Sequence, residues 1–239
     1  MPRSELSAHA TLSRELTAFG PFFAVETHGT DESACQPWLS MADLLDDAER
    51  LRSRVHATGT ALAQGAQKPH AEVDLRVVAS VVHLGLVARL IAVAVGTMAL
   101  GRAGVSFSPN DLWWQDRLGG PYPLSVTPTA TAIAPPTEAV EMITAAIGDR
   151  YRLSSHVLWG NVASAANSAA RLISSTYPEL SATAHDAADL FLADGRVEGG
   201  VLRSGPTFRR RSCCLIYRLA DGGAVCGDCV LASGTPGLG

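Results

Sequence analysis

The chain has 239 residues, of which 47% are hydrophobic and 18% are charged, a composition typical of a folded globular protein that excludes a disordered one. Its formal net charge of −4 gives no sign of the basic surface that a nucleic-acid-binding protein requires. Residues 1–15 are polar and contain no apolar central run, so we expect no secretory signal and place the protein in the cytoplasm.

The first two predicted helices are short and amphipathic. Residues 4–20 carry apolar side chains at nearly helical spacing, and Gly20-Pro21 ends that helix. Residues 37–55 predict a second helix with Ser40 as its cap.

The longest helical stretch, residues 72–100, is apolar on nearly every side. This pattern predicts the central helix of a packed core. The stretch is long enough to span a membrane, but Arg89 lies near its middle, where a charge is costly in lipid. We therefore expect a buried helix and no integral membrane segment.

Residues 105–136 differ from the helical stretches because several prolines rule out a long helix. Short strands are predicted at 105–107 and 112–114, joined by loops. Trp113 and Trp114 favour a connector that packs on the core.

Helical spacing returns at residues 137–146, 154–174 and 181–192, with Thr137 as the predicted cap of the first helix. The predicted fold is therefore α+β and dominated by helices, with a helical domain over residues 1–198 that includes the strand-and-loop connector.

The last part of the chain, residues 199–231, is rich in turn signals and forms a second predicted unit. Residues 221–223 read Asp-Gly-Gly and separate two short apolar stretches, 212–219 and 225–231, which predicts a β-hairpin. Residues 232–239 are small and glycine-rich, so we expect a flexible tail.

Four of the five cysteines lie on the two arms of this hairpin, at Cys213, Cys214, Cys226 and Cys229, while Cys35 is far from them in sequence. Thiols bunched in this way favour metal binding over a secreted disulfide framework. The spacing alone favours a structural zinc site and a [2Fe–2S] cluster about equally. A redox dithiol at Cys226 and Cys229 is a third reading, but it leaves the other two thiols unexplained.

The residues around the cysteines add a family resemblance. Residues 210–219 read RRSCCLIYRL and residues 226–231 read CGDCVL, with Gly222-Gly223 between them. This pattern resembles the C-terminal domain of FhuF-type ferric siderophore reductases, although the eleven-residue spacer is one residue longer than is usual there. Residues 158–165 and the helix that carries Arg89 are similar to upstream segments of that family. The helical domain also resembles the C-terminal part of siderophore synthetases.

The resemblance implies that the four clustered cysteines bind a [2Fe–2S] cluster and that the protein is a ferric siderophore reductase. It implies two kinds of partner: an electron donor such as a ferredoxin or flavin reductase, and a ferric hydroxamate-type siderophore. One electron releases the iron, because oxygen ligands hold Fe(II) less tightly than Fe(III).

Further candidate site residues follow from the chemistry that such a cluster and substrate would need. Arg210, Arg211 and Arg218 are candidates for tuning the cluster potential or for docking the donor. Trp113 and Trp114 are candidates for substrate contact. Two alternatives are a zinc-stabilised binding or scaffold protein and a [2Fe–2S] sensor of iron or oxidants.

Overall fold

The computed structural model describes residues 3–102, 104–135, 137–219 and 226–231. Seven α-helices dominate these residues, as the composition and periodicity predict. Their bounds are α1 Arg3–Ala18, α2 Met41–Asp46, α3 Ala48–Gly65, α4 Leu75–Ala99, α5 Glu138–Tyr151, α6 Ser155–Thr176 and α7 Ser181–Leu192.

The central helix is α4, which contacts α1, α3, α5, α6 and α7. A helix surrounded in this way needs apolar side chains on all sides, and α4 has them. Among the described residues α4 is also the one helix long and apolar enough to cross a membrane, but 78% of its most apolar window is buried inside the protein. The prediction of a buried core helix is therefore confirmed.

A small mixed sheet packs beside the helices, and its strands are β1 Glu26–Thr27, β2 Leu39–Ser40, β3 Leu112–Trp114 and β4 Leu124–Val126. Their order in the sheet is β1-β4-β3-β2. β1 pairs with β4 in parallel, and the other two pairings are antiparallel. The predicted strand at 112–114 is confirmed as β3, whereas the predicted strand at 105–107 contributes only an isolated bridge from Val105.

The single helix predicted for residues 37–55 is wrong, because the structure divides it into α2 and α3. Asp47 adopts an extended conformation between them, and its carboxylate accepts a hydrogen bond from the Glu49 N–H. Ser40 caps α2 as predicted, by accepting from the Ala42 N–H. A second capping side chain thus interrupts the apolar pattern that suggested one continuous helix.

The β-hairpin predicted for residues 212–219 and 225–231 is also wrong for the residues that are described. Leu215 has a left-handed φ of 68°, and residues 216–218 form a 3₁₀ turn. Neighbouring side chains on an extended strand point to opposite faces, so adjacent cysteines reach one site only where the backbone bends. The predicted turn at 221–223 and the tail at 232–239 lie outside the described residues.

Arg89 ties the middle of α4 to two other parts of the fold. Its buried guanidinium donates to the carbonyl oxygens of Tyr122 at 3.0 Å, Phe22 at 2.6 Å and Ala24. Burial lowers the pKa of Arg89 to about 10, so the group keeps its charge at neutral pH. Three carbonyl dipoles, rather than a carboxylate among the described residues, therefore compensate this charge.

We expect Arg89→Met to lower the free energy of unfolding by about 3 kcal/mol, because three buried or partly buried carbonyl groups each lose a donor at roughly 1 kcal/mol. Urea unfolding followed by circular dichroism measures the change. Arg76→Met is the matched control, since Arg76 is an exposed residue of the same helix. Equal stability of the two variants would contradict the role given to Arg89.

Candidate metal centre

Two serines of the helical core hold the cysteine segment, by which we mean residues 210–219 and 226–231. The Ser80 hydroxyl of α4 donates to the Cys214 carbonyl oxygen at 2.9 Å. The Ser164 hydroxyl of α6 donates to the Asp228 carboxylate. Both parts of the segment are therefore anchored on the α4–α6 pair, which is the most extensive helix contact of the fold.

The four thiols of the segment are close enough to act on one another electrostatically, and none of the described cysteines forms a disulfide. The sulfur atoms of Cys214 and Cys226 are 3.8 Å apart. Cys214 and Cys229 are buried, whereas Cys213 and Cys226 are half-buried, so the group has one side open to solvent. Solvent therefore reaches two of the four thiols in part and the other two hardly at all.

Two of the sulfur atoms accept backbone hydrogen bonds of the same form. The Leu215 N–H donates to Cys213 Sγ and the Leu231 N–H donates to Cys229 Sγ, each at 3.3 Å. Each donor lies two residues after the cysteine that accepts. Hydrogen bonds of this kind to the ligand sulfurs are among the features that set the potential of iron–sulfur clusters.

The thiols also act on one another electrostatically. Burial raises the pKa of the Cys213 thiol, and Cys214 and Cys229 add to the rise, while the Leu215 N–H and the Arg210 charge oppose it. Burial likewise raises the pKa of Cys226, with further contributions from Cys214 and Asp228. Several thiolates at this place thus need a compensating cation, and a bound metal centre supplies one.

One pair of sulfur atoms has the spacing expected for two ligands of a common metal atom, in a zinc site or in an iron–sulfur cluster. Two thiolates on one tetrahedral metal, each at ~2.3 Å, lie about 3.8 Å apart. Cys214 and Cys226 meet this spacing. Among the described residues, however, no group of three or more His, Cys, Asp or Glu side chains is placed to hold one ion.

Arg210 is buried beside the thiols with only 1% of its surface exposed. Its Nε donates to the Ser212 carbonyl oxygen at 2.7 Å, and its Nη2 donates to Asn161 Oδ1 at 3.0 Å. Its Nη1 has no hydrogen-bond partner among the residues the structure describes. A buried charge with a spare donor, close enough to lower the pKa of Cys213, fits an anionic group at the thiols.

Asn161 of α6 joins this arginine to the interior of the helical core. Its Nδ2 lies 3.2 Å from both the carbonyl and the hydroxyl oxygen of Ser80, and 3.4 Å from His83 Nδ1. His83 Nε2 is 3.0 Å from the Thr144 hydroxyl. Burial and the nearby Arg210 charge lower the pKa of His83 to about 3, so this histidine is neutral at physiological pH.

Gly160 allows the cysteine segment to approach α6 closely. A Cβ at this position would lie 1.6 Å from the Ser212 hydroxyl oxygen and 3.2 Å from Arg210 Nη2. Gly160 and Asn161 of α6 therefore pack directly against the cysteine segment. Trp159 instead stacks on the guanidinium of Arg196, 4.2 Å from the ring centroid.

The structure separates the three predicted arginines. Arg210 is buried beside the thiols, whereas Arg211 and Arg218 are exposed. Arg218 is also paired with Asp74 at 3.2 Å. Of the three predicted arginines, only Arg210 therefore lies in the protein interior.

The predicted substrate contacts Trp113 and Trp114 lie in β3, away from this site. Both are buried, at 9% and 1% exposed. Trp113 stacks on His28 with 3.5 Å between ring centroids, and the Trp114 indole N–H donates to the Ser40 carbonyl oxygen. This burial disfavours a role in substrate contact for either ring.

The residues that sequence reasoning missed are Ser80, Ser164 and Asp228, which fasten the cysteine segment to the helices. Serines in a helix rich in small residues give no distinct signal. Asp228 gives one, because it lies inside the Cys226–Cys229 motif.

Comparison with known families identifies the segment. Residues 210–231 match the family model described as the FhuF 2Fe-2S C-terminal domain. The match includes all four clustered cysteines, confirms the resemblance for this segment, and indicates an iron–sulfur protein related to siderophores with a [2Fe–2S] cofactor. The similarity of the helical domain to siderophore synthetases stays a prediction. No curated protein and no solved structure matches the chain.

We expect Gly160→Ala to push the cysteine segment off α6, because overpacking of this kind costs about 1–3 kcal/mol. The purified variant should retain less than half of the wild-type iron and sulfide while its far-ultraviolet circular dichroism stays unchanged. Gly85→Ala is the control, since a Cβ on that α4 residue meets nothing within 4 Å. Full cluster content in Gly160→Ala would show that the close approach is not needed.

Proposed function

Proceeding from a FhuF-type [2Fe–2S] domain at residues 210–231, we propose that this protein is a cytoplasmic ferric siderophore reductase. The observation that carries the proposal is the half-buried group of four thiols, of which Cys214 and Cys226 are 3.8 Å apart. We infer that Cys213, Cys214, Cys226 and Cys229 are the ligands. When bound, the cluster supplies electrons one at a time.

The burial of the four cysteines suits exchange of electrons with bulky partners. Cys214 and Cys229 face the protein, while Cys213 and Cys226 form the open side. A donor such as a ferredoxin or flavin reductase approaches this side. The exposed Arg211 and Arg218 are charges that steer an acidic donor toward it.

The substrate that we propose is a ferric hydroxamate-type siderophore. The reaction transfers one electron from the reduced protein to Fe(III), which leaves the protein oxidised and the metal as Fe(II). Hydroxamate oxygens are hard ligands that hold Fe(II) much less tightly, so the reduced iron dissociates. The protein forms no covalent bond to the siderophore in this reaction.

Arg210 is the side chain we propose for setting the potential. Its fixed positive charge opposes the build-up of negative charge at the thiols, and a buried charge is screened much less than an exposed one. Ser212 and Asn161 hold the guanidinium in place.

Anaerobically purified protein should be reddish-brown, contain about two irons and two acid-labile sulfides per chain, and give the electron paramagnetic resonance signal of a reduced [2Fe–2S] centre after dithionite. Mixed in a stopped-flow instrument, the reduced protein should reduce a ferric trihydroxamate in a single turnover. Cys35→Ser is the matched control for Cys226→Ser, which should lose the cluster.

Three results would contradict this proposal in different ways. A colourless protein with stoichiometric zinc would favour the structural zinc alternative. A stable cluster that passes no electron to the ferric complex would favour a sensor. Cluster content in Cys226→Ser equal to that in Cys35→Ser would remove Cys226 from the ligand set.

Arg210→Gln should lower the reduction potential by on the order of 50 mV, which is roughly 1 kcal/mol of lost charge–charge attraction for one electron. Arg210→Lys should shift it less, because the charge is kept. Arg218→Gln is the control, since exposed ion pairs contribute little. Potentials come from redox titration followed by absorbance, and an equal shift in Arg210→Gln and Arg218→Gln would refute the tuning role.

A further inference from the structure

An apolar groove of about 390 Å³ runs along the surface between α4 and α6, and Phe22 also lines it. From Val81 to Ala92 it follows α4 for roughly 16 Å, at ~1.5 Å per residue. The volume lies within the range of about 300–1,000 Å³ that is usual for small-molecule sites.

One end of this groove borders the cysteine segment. Ser164 lines the groove and donates its hydroxyl hydrogen to Asp228, which precedes Cys229. Val81 lines the opposite wall and follows Ser80, whose hydroxyl donates to the Cys214 carbonyl oxygen. A molecule in the groove therefore contacts Ser164, which holds Asp228, and Val81, the neighbour of the serine that holds Cys214.

The described residues that line the groove carry no charge. Only Ser164 and Ser168 offer polar side chains, and the remaining lining is aliphatic or aromatic. Burying an unpaired charge against such a surface is costly, whereas burying hydrocarbon is favourable. The groove thus selects an occupant that is neutral and apolar on its outside.

A ferric trihydroxamate has this chemistry. Three hydroxamates, each with one negative charge, neutralise Fe(III), and the chains that join them present hydrocarbon to the outside. A ferric tris-catecholate differs because its six phenolate oxygens leave a net charge of −3 on the complex. The charge of the complex is therefore the property by which this groove distinguishes the two classes.

We propose that the α4–α6 groove is the substrate site and that it takes the neutral ferric trihydroxamate. This inference rests on the proposed function and extends it to a binding site. The hydrocarbon of the siderophore lies along the aliphatic wall of α4, and the iron lies at the end beside Ser164. In this position the iron is next to the cysteine segment, as transfer of an electron requires.

Gly85 offers a direct way to block the groove. It lines the groove from the exposed side of α4, and a Cβ placed on it meets nothing within 4 Å. Gly85→Trp therefore fills the groove without a clash at the backbone. Gly65→Trp is the matched control, because Gly65 is an exposed helical glycine of α3 with equally open surroundings that does not line the groove.

The first measurement is binding, which needs no electron transfer. The gallium complex of a cyclic trihydroxamate has the charge and shape of the ferric complex but is not reduced. Calorimetry with the oxidised holoprotein should give a Kd that rises at least about tenfold in Gly85→Trp and stays unchanged in Gly65→Trp. The gallium tris-catecholate should bind the wild type at least about tenfold more weakly than the trihydroxamate.

The second measurement is single-turnover reduction of the ferric trihydroxamate, in which Gly85→Trp should lose at least about tenfold in second-order rate. Its reduction potential and its rate with ferricyanide, which is small and hydrophilic, should match the wild type. Wild-type kinetics and affinity in Gly85→Trp would overturn the groove assignment and leave the reductase proposal standing. A wild type that reduces no ferric trihydroxamate would refute the reductase proposal itself.

The oligomeric state provides one more decisive result. A wild type that sediments as a dimer, and that Gly85→Trp converts to a monomer, would assign the groove to a second copy of the chain and overturn the substrate site. A wild type and a Gly85→Trp variant that are both monomers would support it.

Discussion

The hydrogen bonds of one buried amide, that of Asn161, hold the site together. Its oxygen accepts from Arg210 and its nitrogen donates to Ser80. It therefore connects the two long core helices to the segment that carries the thiols. That segment has little regular structure of its own, so its position depends on polar contacts with α4 and α6 and on the close approach at Gly160.

Two buried guanidinium groups in this fold are compensated without carboxylates among the described residues. Arg89 donates to three carbonyl oxygens and thereby joins α4 to the sheet side of the protein. Arg210 also contacts neutral oxygens, but it keeps one donor without a described partner. The fold alone provides hydrogen-bond acceptors for Arg89. Arg210, in contrast, retains a donor, Nη1, for which the described residues provide no acceptor.

The sequence predicted the long helices well, because α4 and α6 each carry long runs of apolar and small residues that fit a helix. It predicted a hairpin at the cysteines wrongly. Two apolar stretches joined by a glycine turn are typical of a strand pair, but this pattern does not reveal the backbone bend at Leu215. It also treated Arg210 and Arg211 alike. Only packing against Asn161, far away in sequence, distinguishes the buried arginine from its exposed neighbour.

The closeness of Cys214 and Cys226 has a consequence for maturation of the protein. Their sulfur atoms need to move less than 2 Å to reach the ~2.05 Å of a covalent S–S bond. Cys226 is half-buried, so an oxidant can reach it in newly made chains. An oxidative cross-link between these two atoms would thus compete with the binding of a cluster by the same sulfurs.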